Sequence, residues 1–154
     1  MAMDTVTYPD ARVASFVKQH FVPAKVMVRE QPDVAAAHGV IWTPNVVLAD
    51  HAGKDHYRIE GYLPPEDFVA QLALALGRAD LERNRFPQAA HHFQEVARRH
   101  KGTDSAAQAL YWLGVARYKE SKDPAQMRSG GWDRLVREYP GSEWAKRADV
   151  PKKS

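Results

Sequence analysis

Apolar positions along this chain follow two regimes. Over roughly the first sixty residues their period changes repeatedly, and from Phe68 onward it is helical throughout. Val13, Phe16, Val17 and Phe21 recur at helix spacing behind Pro9-Asp10, with Asp10 placed to cap the first turn and Pro23 to end the helix. Ala24 to Arg29 (AKVMVR) alternates apolar and polar residues, which predicts a strand. Pro32-Asp33 opens a short helix over Val34 to His38, and Gly39 suits the left-handed position after its end. The Thr43-Pro44 pair then forces extended backbone and starts a new segment. Val46, Val47 and Leu48 make a continuous apolar run, which predicts a strand covered on both faces. After the turn residues His51-Ala52-Gly53-Lys54, Tyr57 and Ile59 alternate with Arg58 and Glu60, as in a half-exposed strand. Residues 39–61 therefore predict a β-hairpin entered through a proline turn. Pro64-Pro65-Glu66-Asp67 starts the next helix, with proline in its first turn and two acids at the positive end of the dipole. The order α-β-α-β-β-α is that of an α/β layer.

The remainder predicts helices only. Phe68, Leu72, Leu76 and Leu81 carry one apolar stripe, and Ala89, Ala90, Phe93, Val96 and Ala97 carry the next, with breaks at Asn84–Pro87 and Lys101–Asp104. Ala106, Ala109, Leu110, Leu113, Gly114 and Ala116 mark a third helix ending near Ser121. A fourth starts at Asp123-Pro124 and runs, with an irregularity at Ser129-Gly130-Gly131, through Trp132 to Tyr139. Pro140-Gly141-Ser142 precedes a last short helix with Trp144, Ala145 and Ala148, and the tail over 151–154 is expected to fray. This half repeats itself: Lys101-Gly102-Thr103 aligns with Pro140-Gly141-Ser142, Ala106 with Ala145 and Ala109 with Ala148, each thirty-nine residues apart. Leu76-Gly77 and Leu113-Gly114 lie thirty-seven apart. Such a period predicts stacked helical hairpins.

Composition narrows the chemistry. With 154 residues, 44% hydrophobic and 27% charged, the chain suits one domain or two small ones. No apolar run is long enough to span a membrane, and MAMDTVTYPD has neither the basic nor the apolar region of a signal peptide. That favours the cytoplasm if Met1 is the true start, and leaves the periplasm open if the chain is part of a longer one. The net charge of +3 is mild. Its densest cluster, Arg98-Arg99-His100-Lys101, lacks interleaved aromatics and sits at a helix end, so no nucleic-acid partner is expected. There is no cysteine, which removes disulfides, thiolate metal ligands and a thiol nucleophile together. The seven histidines show no metal-ligand spacing, and adjacent His91 and His92 point to different sides of a helix. Asp50, Asp55 and Glu60 are ordinary exposed carboxylates of a hairpin, and Gly130-Gly131 lacks the preceding strand of a phosphate loop. Neither a metal nor a cofactor is implied.

The helical half resembles tetratricopeptide repeats. The Leu-Gly pair of that family's first helix is matched by Leu76-Gly77 and Leu113-Gly114, and its small residue followed by an aromatic by Ala89 and Phe93. Only Pro140 matches the closing proline, and the second unit carries a two-residue insertion around Ser129–Gly131, with Trp132 where Phe93 aligns. The Tyr-Pro-Gly-Ser link and Ala-x-x-Ala helices are similar to repeat domains of bacterial cell-envelope assembly proteins. In that family the first helices line a concave groove; the resemblance implies Gln71, Leu74, Arg78, Gln108, Tyr111, Val115 and Tyr118 as groove residues here, or, if two units make too little groove, as residues that pack against the first half of the chain.

The first half resembles the later part of a thioredoxin-like domain. The phrase Phe21-Val22-Pro23-Ala24-Lys25-Val26, the helix ending at Gly39-Val40, the Thr43-Pro44-Asn45 turn, strand Val46–Leu48, the Gly53-Lys54 turn and Gly61-Tyr62 occur in that family's order. The resemblance implies a cis Thr43-Pro44 bond and, around Trp42, Thr43 and Pro44, an edge that docks an extended peptide. Trp42 is read either as a peptide-stacking residue or as a core plug.

Two features depart from the family. The Cys-x-x-Cys and the strand leading into it should precede Tyr8, where only seven residues stand. Without that central strand, Ala24–Arg29 and Asn45–Ala49 lose their shared neighbour, and each unpaired buried backbone group costs about 1–3 kcal/mol. Val6-Thr7-Tyr8 turning inward, a second copy donating a strand, or closure of the two strands would fill the gap; equally, the chain is a piece of a longer one.

The resulting expectation is an α/β thioredoxin-like partial domain over residues 1–76 and all-α tetratricopeptide-like hairpins over 68–150, sharing a helix over about 65–84. Its function is expected to be that of a redox-inactive adaptor binding a protein or peptide partner, with homo-oligomers through strand donation. The alternative is the C-terminal fragment of a thiol-disulfide oxidoreductase whose dithiol lies upstream.

Overall fold

The computed structural model describes residues 1–151. Of the tail expected to fray, residues 152–154 lie outside the described residues. The chain divides into two units, Met1–Val69 and the part from Ala70 onward, and the division falls inside one helix.

The first unit opens with a single π-helical turn, Met3–Thr7. Met3 and Thr7 are buried in it, and the Thr7 hydroxyl donates to the Leu63 carbonyl at 2.6 Å. The inward strand considered for Val6–Tyr8 therefore does not form: the β-prone residues are used in a turn fixed by one buried side-chain bond. Helix α1 (Ala11–His20) is capped as expected, the Asp10 carboxylate accepting the Arg12 amide at 2.9 Å. Helix α2 (Pro32–Ala37) ends at Gly39, whose φ of +61° is the left-handed geometry anticipated for it. Between them the expected strand Ala24–Arg29 is absent. Val22 to Val28 are irregular chain, closed by a turn in which the Glu30 and Gln31 amides donate to the Met27 carbonyl. Alternation of side chains makes a strand only where a neighbour completes the ladder, and among the described residues this segment has none.

Strands β1 (Asn45–Ala49) and β2 (Asp55–Glu60) form the anticipated hairpin, antiparallel, with Val46 opposite Ile59 and Leu48 opposite Tyr57. Thr43-Pro44 is cis, as the resemblance implied. The two-sided burial expected for β1 is not reached. Asn45 to Leu48 are half-buried and Ala49 is exposed, because β1 has one neighbouring strand instead of two. The sheet's two faces differ. Val46, Leu48, Tyr57 and Ile59 share an apolar one, where Ile59 is buried. On the other, the Arg58 guanidinium donates to the Asn45 side chain (3.1 Å), to Asp55 (3.5 Å) and to the carbonyl of His38 at the end of α2.

Helix α3 (Pro65–Glu82) starts at the double proline and passes the division without a linker. Helices α4 (Phe86–Arg99), α5 (Asp104–Ser121), α6 (Pro124–Met127), α7 (Asp133–Glu138) and α8 (Glu143–Ala148) follow. A π turn, Arg128–Trp132, occupies the irregularity expected at Ser129–Gly131. Ala89, Ala90, Phe93, Val96, Ala106, Ala109, Leu110, Ala116 and Leu135 form the core of this unit, each at most 1% exposed.

Internal repetition in the sequence has a physical counterpart. A Cβ on Gly77 would lie 2.6 Å from the Phe93 ring, and one on Gly114 would lie 2.6 Å from the Trp132 ring. Each glycine thus admits an aromatic of the following helical segment against its backbone. The caps repeat as well. Thr103 donates to the His100 carbonyl and accepts the Ala106 amide, while Ser142 donates to the Tyr139 carbonyl and accepts the Ala145 amide.

Candidate binding surface

In the first unit the candidate surface follows from the ladder. The Gly61 amide donates to the Pro44 carbonyl at 2.9 Å, and antiparallel bonding alternates, so Val46 and Leu48 turn their backbone groups toward β2. Asn45, Val47 and Ala49 therefore turn theirs outward, to an edge that among the described residues pairs with no strand. No side chain of β1 is charged, whereas β2 carries Asp55, Arg58 and Glu60. Charged residues are the usual guard of an exposed edge. The guarded edge is β2, and β1 has the composition of an interior strand.

At the N-terminal end of this edge, Ile41 is 88% and Trp42 72% exposed. Trp42 is thus not a core plug; of its two readings, the structure leaves the exposed one. Thr43 is exposed and Pro44 half-buried beside it. Ile41 was missed by sequence reasoning, although an Ile-Trp pair directly before a proline turn was the available signal.

The far end of the hairpin is held by Asp50. Its carboxylate accepts a hydrogen bond from His56 (2.9 Å) and from the Lys54 and Ala52 amides (3.0 and 2.9 Å), which lower its pKa to about 2. His56 is buried there, and His38 is paired with Asp55 at 2.6 Å. These carboxylates shape the turn and the sheet.

In the second unit the residues anticipated for a groove do not share one environment. Leu74 is fully buried in the core, a correction to the groove reading: the buried face of α3 runs through Ala70, Leu74 and Ala75 as well as Phe68 and Leu72, while Leu76 and Leu81 of the expected stripe are half-buried. Gln71 donates to the Ser105 hydroxyl at 2.9 Å. Arg78 lies over the Trp112 ring, 4.0 Å from its centroid, a cation–π contact that places its charge against an aromatic face. Tyr111 stacks on Trp132 (5.1 Å between centroids) and touches Trp112 and Trp144 (5.3 Å each). The Trp132 indole donates to the Tyr111 carbonyl at 3.0 Å. Tyr111 is thus half-buried in an aromatic cluster, which its spacing in the sequence did not reveal. Gln108, Val115 and Tyr118 are half-buried on α5.

Among the described residues, no group of three or more histidine, aspartate or glutamate side chains is arranged to hold a metal ion, and no helix is long and apolar enough to cross a membrane. No curated protein and no solved structure matches the chain. A family model described as a thioredoxin-like domain matches residues 2–76, the stretch that contains α1, α2, the hairpin and the first two thirds of α3. Residues 2–76 are a thioredoxin-like domain, with a sheet of two strands and without cysteine.

Proposed function

We propose that this chain is a redox-inactive binding module that docks an extended segment of a protein partner on the outer edge of β1. The observation that carries the reading is the uncharged, unpaired edge of β1 with Ile41 and Trp42 exposed at its end. An added strand would take its affinity from the backbone groups of Asn45 and Val47, and its position from contact with Trp42. Thiol-disulfide exchange needs an attacking thiolate, and the chain has no cysteine to supply one. The second unit we read as tetratricopeptide-like helical hairpins. The paired Gly77–Phe93 and Gly114–Trp132 contacts and the matching Thr103 and Ser142 caps support this.

To test the reading, extended peptides are selected on the immobilised chain and titrated calorimetrically. Trp42→Ala is expected to weaken a selected peptide about tenfold, the loss of about 1.4 kcal/mol of contact. Unchanged affinity in Trp42→Ala would remove the corner from the binding surface.

One observation favours a second reading. Val26 is 38%, Met27 50% and Val28 38% exposed in a segment whose alternation suits a strand. A strand supplied by further chain upstream would pair there, and this chain would then be the C-terminal part of an oxidoreductase. An in-frame Cys-x-x-Cys codon pattern directly upstream of Met1 would establish this reading; a stop codon there would end it.

A further inference from the structure

We propose that the strand docked on β1 is the β1 of a second copy, so that the chain forms a two-fold dimer through one continuous four-stranded sheet. The inference rests on the docking edge described above and names its occupant. Asn45, Val47 and Ala49 turn their backbone groups outward, a set symmetric about Val47. Antiparallel pairing about a two-fold axis at Val47 sets Val47 against Val47 of the second copy and Asn45 against its Ala49. Every outward amide and carbonyl then meets another outward group. The same register sets Val46 opposite Leu48 of the second copy. The apolar face of Val46, Leu48, Tyr57 and Ile59 consequently continues across all four strands, and the Arg58 faces also fall on one side.

Charge selects this edge over the other. The five residues Asn45–Ala49 carry no charge and no proline, so two copies meet without like-charge opposition. The same operation on β2 would bring Asp55, Arg58 and Glu60 of two copies together. Five paired residues are a small interface, to which exposed Ile41 and Trp42 add apolar area at each end of the paired strands. The dissociation constant is therefore expected on the order of micromolar, as for a small interface.

Sedimentation velocity over a concentration series tests the proposal on the full chain. The wild type is expected to pass from monomer to dimer in the micromolar range. Val47→Lys sets two lysines against each other beside Arg58, and Val47→Pro removes the outward amide while leaving the β1–β2 bonds intact. Both are expected to raise the dissociation constant at least tenfold, whereas Val47→Thr dimerises like the wild type. Circular dichroism verifies that each variant is folded. Should Val47→Lys fail to fold, the Val47→Pro and wild-type series decide. A wild type that stays monomeric at millimolar concentration, or a dimer indifferent to folded Val47→Pro or Val47→Lys, overturns the proposal. A monomer that still binds selected peptides in a Trp42-dependent way overturns the dimer and leaves the docking edge standing. A monomer that binds none removes both.

Discussion

Gly114 shows how much one missing methyl group decides. A Cβ there would stand 2.6 Å from the Met127 carbonyl oxygen and 2.6 Å from the Trp132 ring. Alanine normally stabilises a helix by about 1 kcal/mol over glycine. Overpacking costs about 1–3 kcal/mol, and here one of the two colliding atoms is backbone that moves only with its helix. Gly114→Ala is therefore expected to destabilise the protein by about 1 kcal/mol net in chemical denaturation. Gly141→Ala, where an added Cβ meets nothing within 4 Å, serves as the control and is expected to be near neutral. The glycine's role was legible in the sequence as the second member of a repeated Leu-Gly pair. Its exact partner was legible only through alignment of Trp132 with Phe93, because contact across a π turn has no local signature.

Asp50 acts at the same scale through charge. Its folded pKa of about 2 lies below the ordinary carboxylate value of roughly 3.9, chiefly because the His56 ring and the Lys54 amide bond the ionised form. A depressed folded pKa means that the folded state releases this proton more readily than the unfolded one. Asp50 therefore stabilises the turn above pH of about 4, and that contribution is lost as pH falls toward 2. Protection of the Lys54 amide, its exchange rate compared with that of an unstructured amide at the same pH, is expected to fall over that window in the wild type. Asp50→Asn is expected to flatten the dependence; an unchanged acid profile in Asp50→Asn would assign it to other groups.

At the scale of elements, the chain separates what a segment prefers from what it can complete. The helices follow their caps and prolines closely: Asp10, Thr103, Asp123 and Ser142 all accept the amides their positions suggest. Helix hydrogen bonds close within the element, so local sequence suffices for them. The hairpin was equally legible, since its turn brings both strands of the ladder together. Ala24–Arg29 failed for the opposite reason. Its alternation records a preference for a strand, and its partner is not among the described residues. The half-buried state of β1 has the same origin. One ladder fewer leaves Asn45, Val47 and Ala49 with outward backbone groups, and that deficit is the basis of the docking edge.

At the scale of the whole molecule, the candidate surface was half-readable. Trp42, Thr43 and Pro44 came from resemblance to thioredoxin-like domains, and they lie at the end of the open edge. Arg78, Gln108, Tyr111 and Tyr118 came from a carry-over of repeat geometry. Of these, Tyr111 is taken up by Trp132 and Trp144, and Arg78 by Trp112. Side-chain packing among three tryptophans from separate helices is not encoded in any single spacing. The surface that sequence could not isolate is the backbone of β1 itself, because an unpaired edge is a property of what does not stand beside it.

That edge is best tested by hydrogen exchange resolved to single amides, compared between the dilute chain and the chain with a strand bound, whether a selected peptide or a second copy. The account predicts slowed exchange at Val47 and Asn45, with Val46 and Leu48, already bonded to β2, changed little. Slowing confined to the helices from Ala70 onward, with the Val47 amide unaltered by binding, would contradict it.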